Sequence, residues 1–105
     1  MGVAAVTSRE AVLAAIERYR ELGEDAFLKE YRFGPARDFV IVHEGDEFPS
    51  KAILGVAHGI QHPDLGTLPS RDFNGGKQTT DRLQALGFTI RRLLPTIEVT
   101  RRKRP

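Results

Sequence analysis

The sequence predicts an α+β domain in which a small antiparallel sheet packs on helices, in the order α-α-β-β-α-α-β. Three observations carry that prediction. Two helix-like stretches open the chain, a β-branched run with a turn behind it stands in the middle, and an apolar–polar alternation follows the last helix. With 105 residues there is material for one small core and no more.

Thr7-Ser8-Arg9-Glu10 reads as a capping box, with Val6 placed to staple back onto Ala11. Val12, Ile16 and Tyr19, flanked by Leu13 and Ala15, give the inward stripe of a first helix that Leu22-Gly23 ends. Glu24 and Asp25 suit the positive end of a second, short helix; Phe27 and Tyr31 share its buried side, and Phe33-Gly34-Pro35 stops it. Asp38 to His43 is the clearest strand, Glu44-Gly45-Asp46 a turn, and Glu47-Phe48 a return strand cut short by Pro49. Ser50 then reads as the N-cap of a third helix, with Ala52, Ile53, Val56 and Ile60 on one face. Gly55, Ala57 and Gly59 keep that helix thin, so something packs close to it. A loop from Gln61 to Phe73, the tight end Asn74-Gly75-Gly76 and a helix from Lys77 to Leu86 follow, with Thr79, Leu83 and Leu86 on one face. Gly87 stops the helix, and Phe88 to Leu93 alternates as a half-exposed strand. Residues 1–94 are expected to form the domain and 95–105 a basic tail or linker, Thr96 to Thr100 being either a further strand or its start.

Composition excludes several classes of function. Without cysteine there is no disulfide framework, thiolate metal site or cysteine nucleophile, which fits a cytoplasmic protein. No apolar run approaches the roughly 18 residues of a membrane span, and the first residues do not resemble a secretion signal. The net charge of +2 is uneven: residues 1–50 carry 6 basic and 10 acidic side chains, and residues 51–100 carry 6 and 4. Arg101, Arg102, Lys103 and Arg104 add the rest. A nucleic-acid surface is therefore expected from the second half and the tail.

Two helix starts carry the candidate chemistry. Lys51 stands in the first turn of the third helix, where a cation opposes the helix dipole, and that placement suggests an anionic partner. Gly75-Gly76-Lys77 repeats the arrangement. A P-loop is ruled out, because Arg71 and Gln78 stand where it needs glycine and Ser or Thr. Two glycine N–H groups and Lys77 still suit a single phosphate, such as one of a DNA backbone. Arg71, Arg82 and a basic strand with Arg91 and Arg92 complete one prospective face. His58 and His62 have metal-like spacing but lack further ligands, and His58 reads as a helix-end residue. No metal or other cofactor is expected. The single asparagine, Asn74, sits in a glycine turn, so no HNH ligand set is legible, and Ser50–Lys51 has no partner for nucleophilic work. The chain is expected not to be an enzyme.

Several stretches together resemble the N-terminal head domain of ScoMcrA-like, modification-dependent HNH restriction endonucleases. They are Ala26-Phe27-Leu28, Phe33 to Arg37, Ser50 to Gly59, Asp72 to Gly76 and Leu83 to Phe88, within a span of about residues 10–91. Phe48-Pro49 departs from the Tyr-Asp pair that often precedes the serine in that family. The resemblance implies a module of proteins that recognise methylated or phosphorothioated DNA and cut it with a separate HNH domain. The expectation is thus a non-catalytic, DNA-associated module of a type IV-like restriction system. Its partners would be double-stranded DNA and an HNH or modification-reading domain in the same or a partner chain. Ser50, Lys51, Arg71, Gly75, Gly76, Lys77 and Arg82 are the expected DNA contacts. The alternative is a protein-interaction or dimerisation module, using the acidic first half and the thin third helix and making no nucleic-acid contact.

Overall fold

In a computed structural model, residues 2–93 are described. The first helix, α1 (Arg9–Leu22), begins one residue later than a Thr7 cap implies: Ser8 is the N-cap, its hydroxyl accepting from the Ala11 N–H at 3.1 Å. Thr7 is engaged elsewhere. Its N–H donates to Gln61 Oε1, and Gln61 Nε2 donates to its hydroxyl, which ties the start of the chain to the end of a later helix. Gly23, at φ 84°, takes the bend that separates α1 from α2 (Glu24–Tyr31). The second helix closes before Gly34-Pro35. Arg32 adopts the left-handed conformation (φ 62°, ψ 48°), and the Phe33 N–H donates to the Leu28 carbonyl at 2.9 Å, closing a Schellman motif.

Strands β1 (Phe39–His43), β2 (Asp46–Pro49) and β3 (Thr89–Arg92) form one antiparallel sheet in the order β2-β1-β3. Glu44 and Gly45, both at positive φ, make the two-residue turn between the first two, of the type that matches strand twist. Ile41 lies opposite Phe48 and Ile90, and this row faces the helices. Glu47, Thr89 and Arg91 are exposed on the other face, where Arg91 pairs with Glu47. Pro49 belongs to β2, since an edge strand tolerates the missing N–H.

The third helix, α3 (Ser50–Gln61), is the core of the domain rather than a surface helix. Every residue from Ala52 to His58 is buried, and the helix packs mainly on α1. The predicted Ser50 cap is corrected here. Pro49 holds the N-cap position, Ser50 is already helical, and its hydroxyl donates to the Phe39 carbonyl at 3.1 Å. Ile60, expected on the apolar face, is 41% exposed because the core ends one turn earlier. His58 lies in the last turn of α3, as expected of a helix-end residue, and it is also buried: it is 2% exposed, and its Nδ1 bonds the Gly66 carbonyl at 2.8 Å. The loop after α3 folds back along it, with the Leu68 N–H donating to the Gly55 carbonyl at 3.0 Å. Gly59 permits that approach, since a Cβ there would lie 2.6 Å from the Thr67 nitrogen.

A 3-10 turn (Ser70–Asp72) leads to α4 (Lys77–Ala85), which buries Thr79 and Leu83. Arg9 clasps the far end of α4, donating to the Leu86 carbonyl at 2.7 Å while its guanidinium lies 4.4 Å from the centre of the Phe88 ring. The expected strand or linker over Thr96–Thr100, the basic tail and the domain limit at 94 lie outside the described residues.

Tyr19 provides a pH probe of the α1–α2 corner. Burial, followed by its hydrogen bond to Glu24 (2.9 Å), pushes the phenol up to about 12 from its ordinary value of 10.0. A raised phenol contributes stability that is complete below pH 10 and is lost as pH rises from there through about 12. The hydroxyl retains solvent contact, so screening holds the contribution to roughly 1 kcal/mol. In urea unfolding at alkaline pH, Tyr19→Phe is expected to lose less stability between those limits than the parent does.

Candidate nucleic-acid interface

Lys51 and Gly75 meet on one wall of a cleft of about 370 Å³. The cleft lies between the α2–β1 linker (Phe33 to Asp38), the start of α3, and the Ser70–Gly75 segment. Its geometry follows from local sequence choices. Gly34-Pro35 keeps the linker extended after α2, Pro49 turns β2 directly into α3, and the loop lying on α3 brings Ser70 over the helix start.

Lys51 leans out of the first turn of α3. Its Nζ donates to the Ser70 hydroxyl at 3.1 Å and lies 5.2 Å from the centre of the Phe73 ring. Its aliphatic stem passes Gly75, where a Cβ would stand 3.4 Å from the Lys51 Cβ. No carboxylate pairs with Lys51 among the described residues. The ammonium is held by a hydroxyl and an aromatic face, both neutral, so an arriving anion would displace no counter-charge. Arg37 and Asp38, both exposed, also line the cleft.

The other residues expected from sequence divide between this cleft and other surfaces. Ser50 is at the back of the cleft but 2% exposed, with its hydroxyl held by Phe39. The Gly76 N–H is taken by the Asn74 side chain, Oδ1 accepting at 2.9 Å, which leaves Gly75 to face the cleft. Lys77 is 86% exposed and turned along its own helix to Asp81 at 2.7 Å; that carboxylate raises the lysine pKa. Of the two helix starts expected to carry the candidate chemistry, the structure brings Lys51 to Gly75 and turns Lys77 away to Asp81. Arg71 lines a neighbouring hollow, and Arg82 is half-buried on α4 outside both. Arg91 is bound to Glu47 on the sheet.

Sequence reasoning missed Arg32, Arg37 and Ser70. A signal for Arg37 existed, since it closes the Phe33–Arg37 stretch that carries part of the family resemblance. Among the described residues no group of three or more potential metal ligands gathers, and no helix is long and apolar enough to cross a membrane.

The fold and site define a small α+β domain with a three-stranded antiparallel sheet and a cleft that holds Arg37, Lys51 and Asp38 in its wall. The chain belongs to the ScoMcrA-like N-terminal head domain family, whose model matches residues 4–92. Among solved structures it is similar to the type IV phosphorothioation-dependent restriction endonuclease ScoMcrA, at 30% identity and a TM-score of 0.63. That match covers 85% of this chain and 13% of the endonuclease, so the chain spans a small part of its relative's length. No curated protein matches it.

Proposed function

We propose that this head domain is a non-catalytic DNA-contacting module of a modification-dependent restriction endonuclease, working in the cytoplasm and seating a backbone phosphate in the Lys51 cleft. Nuclease chemistry and recognition of the modification belong in this reading to other domains. The observation that carries it is the state of Lys51: a cation with neutral partners, at a helix start, in a concave site large enough for a phosphate and its sugar. Such a contact contributes affinity and salt dependence and little sequence information. The competing interaction-module reading loses its thin-helix surface, because α3 is buried from Ala52 to His58.

Fluorescence anisotropy with a short labelled duplex tests the proposal. Binding is expected whose logarithm falls linearly with the logarithm of salt concentration. Lys51→Ala is expected to lower that slope by about 1 and weaken binding at low salt roughly fivefold. A duplex that fails to bind even at low salt, or a variant indistinguishable from the parent, would refute it.

A further inference from the structure

Among the described residues, Arg18, Arg20, Lys77 and Arg91 each pair with a carboxylate. The other eight lysines and arginines pair with none there, and four of those eight, Arg32, Arg37, Lys51 and Arg71, line two hollows. Arg37 and Lys51 belong to the cleft, and Arg32 and Arg71 to a second hollow of about 560 Å³. Ser70 stands in the wall of both.

We infer that the two hollows are one continuous track, and that its ligand is a run of successive phosphates of one DNA strand, passing from Arg37 and Lys51 to Arg71 and Arg32. This rests on the phosphate reading of the cleft. The second hollow has the charge such a ligand requires. The one carboxylate in its wall, Glu30, is bound to Arg18 at 3.5 Å, which leaves Arg32 and Arg71 unneutralised. Neighbouring residues of the 3-10 turn serve both hollows, Ser70 holding Lys51 over the first while Arg71 lines the second. Arg32 occupies a left-handed backbone position that glycine would accept without strain, and its side chain is exposed rather than packed in the core. Arginine there has no packing role; above this hollow it has an electrostatic one, with a guanidinium fork suited to phosphate oxygens.

The salt dependence of duplex binding, measured by anisotropy on the described variants, tests the track. Arg32→Gly and Arg71→Gln are each expected to lower the slope by about 1. Arg20→Gln removes the same charge from a side chain bound to Glu44 and Asp46 and is expected to keep the parental slope. Arg32→Gly is also expected to raise the thermal midpoint, because glycine relaxes the left-handed turn, so weaker binding cannot be attributed to unfolding. If Lys51→Ala lowers the slope while Arg32→Gly and Arg71→Gln leave it at the parental value, the ligand is confined to the cleft and the track is wrong. If the parent shows no salt-dependent binding, the cleft reading and the track fall together.

Discussion

Gly59→Ala is expected to lower stability by about 2–3 kcal/mol in urea unfolding, although alanine is the better helix former by roughly 1 kcal/mol. The added methyl would lie 2.6 Å from the Thr67 nitrogen and 2.8 Å from the Gly66 carbonyl carbon. Both are backbone atoms, so no side-chain rotation relieves the clash, and the loop itself must lift from α3. That loop carries Gly66, whose carbonyl is bound to His58, and continues to Ser70, the partner of Lys51. The variant is therefore also expected to weaken DNA binding without touching a charged residue. A stability equal to or above that of the parent would show that the loop is not held against the helix in solution.

Phe27→Ala is expected to cost about 3–5 kcal/mol, the range for removing a fully buried aromatic ring. Phe27 is 0% exposed and sits between two other rings, with centroids 5.2 Å from Tyr19 and 5.0 Å from Tyr31. Domains of this size have total stabilities of about 5–15 kcal/mol, so the variant should stand near its unfolding midpoint at moderate temperature. Thermal unfolding followed by circular dichroism reads this directly. Phe27→Leu, which keeps most of the volume, is expected to recover more than half of the loss. A midpoint for Phe27→Ala within a few degrees of the parent would mean that the α1–α2 corner is not packed on this ring.

The fold was readable because its signals are local. β-Branched residues marked β1, Glu44-Gly45 marked the turn, and Gly23 and Gly87 marked helix ends with the positive φ that their backbone positions require. The errors concern side chains with more than one available partner. A serine beside a helix start can accept from the helix or donate to a neighbouring strand. Only the position of β1 decides that Ser50 donates to Phe39. His58 does lie in the last turn of α3, as its spacing to Pro63 implies, but only the loop returning over the helix decides that its ring is buried.

The candidate site was legible in part. Lys51 and Gly75 were both singled out, and the fold places them in contact across a separation that sequence alone does not bridge. Arg32 and Arg37 are hidden in the sequence for a physical reason. Charge averaged over residues 1–50 is negative, which masks any nucleic-acid surface that half contributes. Folding then segregates its charges, pairing Arg18 and Arg20 with carboxylates and delivering Arg32 and Arg37 to the hollows beside Lys51 and Arg71. Lys77 shows the converse. Its spacing from Asp81 is the i, i+4 spacing of a helical ion pair, a competitor for its charge that the reading of its glycine turn left out of account.

The β2-β1-β3 order leaves β2 as an outer strand, with a row of backbone groups open to any strand that approaches. It is poorly suited to accept one. It is only four residues long, Pro49 offers no N–H, and Asp46 and Glu47 put charged side chains on its exposed half. The proline that turns the chain into the core helix thus also guards the sheet against edge-to-edge aggregation.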